Sequence, residues 1–182
     1  MFNKKVLFEQ FVITHKVSDL LKINKENLKT NLLKKYVLGN RLENENWYHD
    51  YYYAEVDHHQ HISWIHDYIR DHYRGEYGNT PILVKKGGIV LLKNESLGSH
   101  HHINDWDYEN SPEISVIYCL DDGDKKSNVI FEYEFTRNKK KRFKVDLVKD
   151  SLIIFPSDLK HSISQNKNKE AIVALSFQFQ IL

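Results

Sequence analysis

From Pro81 onward, apolar and polar side chains alternate. Phe131, Tyr133 and Phe135 oppose Glu132 and Glu134, and Phe143, Val145 and Leu147 oppose Arg142, Lys144 and Asp146. A period of two sends one set to each face of a strand. Turn-forming residues separate the runs: Asp121-Asp122-Gly123-Asp124, Lys149-Asp150-Ser151, Pro156-Ser157-Asp158 and Asn166-Lys167-Asn168. The pattern predicts strands over 82–86, 88–93, 113–119, 128–135, 142–148, 151–155, 160–164 and 171–181. About eight strands in roughly a hundred residues, with no helix between them, predict a sandwich or jelly roll. Before Pro81 the period changes. Leu20, Leu21, Leu28, Leu32, Leu33 and Val37 recur at three- and four-residue steps and predict a helix over 18–37, stopped at Gly39-Asn40. Ile62, Ile65, Ile69 and Tyr73 predict a second helix over 59–73, closed by Gly75 and Gly78. Val6-Leu7-Phe8 and Phe11-Val12-Ile13 read as short strands. The chain is thus expected to be one mainly β domain, with a helical support region over 1–80 and a β core over 81–182.

Composition narrows the function classes. The 182 residues carry a formal net charge of +1, so no overall field draws the chain to nucleic acid or to an anionic membrane. No apolar run reaches membrane-spanning length, and the N-terminus MFNKKVLFEQF lacks the apolar core of a secretory signal. The single cysteine, Cys119, excludes an internal disulfide and is expected to be buried in its apolar strand. A cytoplasmic location is the expectation.

Candidate chemistry gathers in two places. The segment Gly98-Ser99-His100-His101-His102-Ile103-Asn104-Asp105-Trp106-Asp107 leaves one predicted strand before the chain enters the next. His100 and His102 are two apart and share a side when extended. Far downstream, His161 opens a strand after the turn Phe155-Pro156-Ser157-Asp158. Two imidazoles and a carboxylate on one face of a metal, with other positions open, suit non-haem iron(II). His102 and His161 are the candidate imidazoles. Either Asp105 or Asp107 completes the set, or His100 makes it a three-histidine site.

The segments HHINDWDYENSPEISVIYCL, LIIFPSDLKHSISQN and AIVALSFQF resemble the iron(II)/2-oxoglutarate-dependent oxygenases, particularly small phage and bacterial members. The likeness covers about residues 88–180 and includes Ser115 and Tyr118 after the histidine segment and Phe155-Pro156-Ser157 before His161-Ser162. It implies a double-stranded β-helix of the jelly-roll, cupin-like type, an iron(II) ion, 2-oxoglutarate as co-substrate, and hydroxylation of a substrate carbon. The resemblance carries two departures. The family's His-x-Asp or His-x-Glu places Asn104 after His102, and His102 itself after His100. The family's arginine, about ten residues past the distal histidine, falls on Ala171 or Ile172. Lys93 or Lys169, with a hydrogen bond from Tyr118, stands as its substitute for the far carboxylate of 2-oxoglutarate. Ala174 and Ser176 are small enough to leave the co-substrate room.

Blander readings apply elsewhere. His58, His59, His61 and His66 read as a solvated helix start near the site mouth, since no cysteine accompanies them. The tryptophans read as core or rim packing. The basic run Arg137–Arg142 reads as a hairpin tip that blunts a sheet edge. Two rival classes remain: a cupin-like three-histidine metalloprotein that does not use 2-oxoglutarate, and a non-catalytic β-sandwich binding module. The substrate stays open between protein side chain, nucleobase and small metabolite.

Overall fold

The structure, a computed structural model, describes residues 11–17, 25–42, 53–54, 60–104, 106–123, 127–136 and 139–182. In chain order these form β1 (Ile13–Lys16), α1 (Lys25–Leu42), β2 (Tyr53–Ala54), α2 (Gln60–Tyr77), β3 (Pro81–Leu91), β4 (Leu97–His100), β5 (Ile114–Asp121), β6 (Ser127–Thr136), β7 (Lys139–Leu147), β8 (Ser151–Pro156), β9 (Lys160–Ile163) and β10 (Ile172–Ile181).

Two antiparallel sheets face each other. The larger runs β1-β8-β5-β10-β3-β2 and the smaller runs β4-β9-β6-β7. From β3 on, the chain crosses repeatedly between them: β3, β5, β8 and β10 belong to the first, and β4, β6, β7 and β9 to the second. This winding is a double-stranded β-helix, a jelly roll.

Alternation along the larger sheet divides its apolar residues into two layers. Val116, Tyr118, Leu120, Leu152, Ile154, Val173, Leu175, Phe177 and Phe179 cluster with Val17, Leu28, Leu32 and Ile69, so this face carries the helices. Ile117, Cys119, Ile153, Phe155, Ile172 and Ala174 face the other way and meet Val129, Phe131, Val145, Leu147 and Ile163 of the smaller sheet. The helix layer is fastened by polar contacts as well. Lys29 Nζ donates to Asp121 at 2.6 Å, and Lys25 pairs with Asp150.

The structure redraws several predicted boundaries. The strands expected over 82–86 and 88–93 are one strand, β3, because Gly87 and Gly88 lie buried inside it without breaking its pairing to β10. Much of the basic run lies within β7 itself, from Lys139, where cross-strand glutamates accept its charge; Arg137 and Asn138 lie outside the described residues. Helix α2 runs to Tyr77, through Gly75. The first helix is described from Lys25 to Leu42, past Gly39-Asn40, while 18–24 lie outside the described residues. So does the strand expected at Val6-Leu7-Phe8. Cys119 is fully buried. Among the described residues, no helix is long and apolar enough to cross a membrane.

Candidate metal centre

Strand pairing brings the two histidine segments together. β4 and β9 are antiparallel neighbours, and His100 lies directly opposite His161. His102, just past the end of β4, turns back onto the same corner because its N–H donates to the Ser157 carbonyl at 2.9 Å. Ser157 is itself fixed: its N–H donates to Glu113 O, and its buried hydroxyl lies 2.7 Å from that of Ser115. The Pro156-Ser157 turn therefore sets the position of one histidine while leading the chain to another.

The three rings form a compact group. Centroid separations are 4.4 Å for His100–His161, 4.9 Å for His102–His161 and 5.0 Å for His100–His102. One ring nitrogen from each lies within 4.8 Å of the others. Small side-chain rotations close that spread to the roughly 3 Å expected between nitrogens bound at about 2.1 Å and a right angle.

Tautomer control points the same way. His100 Nδ1 is 2.8 Å from Gly98 O, and His161 Nδ1 is 3.0 Å from Leu159 O. Each ring thus bonds the carbonyl two residues before it, so Nδ1 carries the proton and Nε2 is the nitrogen that could ligate a metal. His102 Nδ1 is 3.4 Å from the side-chain amide of Gln178, which also bonds Ser176 Oγ at 2.9 Å. For His102 to ligate through Nε2 its Nδ1 must donate, which requires the Gln178 amide oxygen on that side. Which amide atom stands there is decided by such bonding logic, not by shape.

Burial keeps His102 and His161 uncharged. His161 is 1 % exposed, and Phe155 meets its ring at 4.6 Å and Phe131 at 6.2 Å. Its pKa falls to about 3, mainly through loss of hydration, with the nearby His100 adding repulsion. That of His102 falls to about 2, again mainly by burial, then by the charges of His161, His100 and Lys85. Neutral imidazole is the metal-binding form. Three converging rings, two of them held neutral by burial and two with backbone-fixed tautomers, fit a divalent transition metal.

The other predicted site residues are distributed unevenly. Asp105 lies outside the described residues. Asp107 is exposed, and its carboxylate accepts from the Asn110 amide at 2.9 and 3.0 Å within its own turn. Asn104 is also exposed, with its oxygen accepting from Trp106 N. Tyr118 faces the helices, because even-numbered positions of β5 do, and its hydroxyl donates to Asp150 at 2.9 Å. Lys93 and Lys169 occupy exposed turns at the ends of β3 and β10 remote from Lys85 and Gln178. Ile172, at the position of the expected arginine, is fully buried in the inter-sheet core. Ser176 is buried on the inner face, two residues from Gln178. His66 stacks on Phe179 at 6.0 Å, on the helix side of the sheet; His58 and His59 lie outside the described residues. Trp106 is 96 % exposed, so it is not a packing residue here.

Sequence reasoning passed over Gln178 and Lys85. The signal for Gln178 was present: AIVALSFQFQI is apolar except at positions 176, 178 and 180, and alternation puts all three on one face.

Among solved structures, this fold is similar to that of the carbocyclase SnoK from nogalamycin biosynthesis, a non-heme alpha-ketoglutarate-dependent enzyme. The TM-score is 0.63 at 12% identity, over 94% of this chain and 79% of that one. The alpha-ketoglutarate-dependent epimerase SnoN of the same biosynthesis gives 0.63 at 13% identity, over 93% and 76%. The viral collagen prolyl hydroxylase of Paramecium Bursaria Chlorella virus-1, in its 2-oxoglutarate complex, gives 0.60 at 10% identity, over 92% and 94%. No protein-family model and no curated protein sequence matches the chain. The chain therefore has the fold of the iron(II)/2-oxoglutarate oxygenases.

Proposed function

We propose that this chain is an iron(II)- and 2-oxoglutarate-dependent oxygenase whose metal is held by His100, His102 and His161, and that it hydroxylates its substrate. The observation that carries the reading is the convergence of three imidazoles between β4 and β9 in a fold shared with enzymes of that chemistry.

Bound iron(II) would supply oxygen activation coupled to oxidative decarboxylation of 2-oxoglutarate. The chain's own residues do the rest. Nε2 of each histidine would supply a ligand while the group at its Nδ1 sets the direction of approach. Phe131 and Phe155 exclude water from the His161 ring. Ala174 and Ser176 keep the inner face of β10 low beside the metal. An imidazole ligand adds no charge of its own, so His100, His102 and His161 would leave a divalent ion able to take a dianionic co-substrate.

One observation favours a second reading, a three-histidine oxidoreductase independent of 2-oxoglutarate: Ile172 makes the expected carboxylate anchor apolar. Anaerobic titration separates the two. Iron(II) followed by 2-oxoglutarate should raise the weak visible charge-transfer band of the chelate, and the band should vanish in His161→Ala while circular dichroism stays native. Bound iron with no such band would overturn the 2-oxoglutarate reading and leave the second.

A further inference from the structure

We propose that the substrate of this chain is a polypeptide, held in extended form as an added strand on the open edge of β6 over 133–136. The inference rests on the oxygenase reading only for what is done to the bound polypeptide.

The edge arises from unequal pairing. On one side, β7 stays beside β6 as far as Thr136. On the other, β9 accompanies β6 only from Val129 to Glu132, where Phe131 faces His161 and Glu132 faces Lys160. One residue before Lys160, the Leu159 N–H donates to the Pro156 carbonyl at 3.1 Å, so the chain has left the ladder for the turn. Among the described residues no other strand takes the vacated place. Successive residues of a strand turn their N–H and C=O groups to opposite sides. Beyond Glu132, alternate backbone groups of β6 therefore point to a side without a strand. That stretch is four residues long, about 13 Å at strand spacing.

A cleft of about 580 Å³ lies in that place. Glu132, Tyr133 and Glu134 of β6 line it together with Asp158, Leu159 and Lys160 at the turn. Leu159 is buried and Tyr133 is partly buried, both against the inter-sheet core, so the cleft has an apolar floor. Its charges are balanced. Glu132 is matched by Arg142 at 2.8 Å. Of the exposed groups, Glu134 and Asp158 offset Lys140 and Lys160. Such a lining draws neither anions nor cations as a class. An extended peptide suits it, because its neutral amides repeat at the spacing of the open edge, and its side chains meet the apolar floor and charges of either sign. A compact metabolite would leave the edge unpaired.

The cleft also stands beside the chemistry. Tyr133 is two positions beyond the level of His161, about 7 Å along the strand. The turn next to it carries Ser157, whose carbonyl accepts from the His102 N–H. Pairing with β6 thus fixes a polypeptide next to the metal corner, and a residue outside the paired stretch is the one that reaches the metal.

The test uses the full-length protein loaded with iron(II) and 2-oxoglutarate without oxygen, and a random library of acetylated, amidated decapeptides. Peptides selected from it should slow hydrogen exchange at alternate amides of 133–136, read by NMR. The tightest binder is then remade with N-methyl groups on every second amide. Binding should weaken about tenfold in one register and hold in the other, since a strand bonds its partner through alternate amides. A library without binders would overturn the proposal, as would equal effects in both registers or protection confined to other segments. Protection of 133–136 that rises with protein concentration, with no peptide present, would give the edge to a second copy of the chain and overturn it too. Oxygen is then admitted to the bound peptides. Mass spectrometry should find members heavier by one oxygen atom: one atom of dioxygen enters a C–H bond, and the other leaves in succinate as 2-oxoglutarate loses carbon dioxide. Paired peptides that all stay unoxidised, on protein that shows the chelate band, would overturn the substrate role. Pairing on protein that shows no such band would sink the oxygenase reading and leave the docking edge standing.

Discussion

A histidine ligates through the ring nitrogen that its neighbours have not already engaged, so the neighbours of Nδ1 matter as much as the rings. For His100 and His161 the neighbour is a backbone carbonyl that no substitution removes. For His102 it is the Gln178 side chain, which makes that ligand the adjustable one. Gln178→Leu takes the acceptor away and should weaken metal binding about 10- to 100-fold, as loss of such an outer partner typically does. Gln178→Glu offers an acceptor in either orientation and should hold the affinity near that of the wild type. Competition titration with a chromophoric chelator measures both, and an unchanged affinity in Gln178→Leu would refute this role. At this scale the sequence was only partly legible. His100, His102 and His161 stand out as residue types, but the exclusion of Asp107 depends on its capture by Asn110 within a local turn. Tyr118 was assigned to the site from resemblance, although its even-numbered position in β5 sends it to the helices.

Elements were legible where one period persisted. β6, β7 and β10 alternate strictly over 131–135, 142–147 and 175–181, and their faces follow from those stretches. β4 carries no such pattern in Leu-Gly-Ser-His; it exists because β9 lies alongside to pair with it. The element that delivers His100 was therefore the hardest to foresee. The helices show the reverse case, clear in the sequence and remote from the chemistry. Leu32 of α1 is 2 % exposed and packs on the outer face of the larger sheet. Leu32→Ala should cost about 2–5 kcal/mol of stability, as buried leucine truncations do. Thermal or denaturant unfolding would show the loss, while metal affinity of the folded fraction stays constant. A large fall in that affinity would mean that the helix layer shapes the site through the sheet.

For the molecule as a whole, the winding of one chain between two sheets is what joins residues sixty positions apart. The strand count and the alternation pointed to a jelly roll before any site was considered. The pairing of β4 with β9, which turns that architecture into a ligand set, is a long-range register and could not be read from local pattern. The account stands on a single ion bound by three imidazoles. X-ray absorption at the iron edge of the anaerobic iron(II)-loaded protein counts them directly. The spectrum should require three imidazole ligands in the wild type and two in His102→Ala. A wild-type spectrum fitted by two imidazoles and a carboxylate would contradict the account and return Asp105 to the metal.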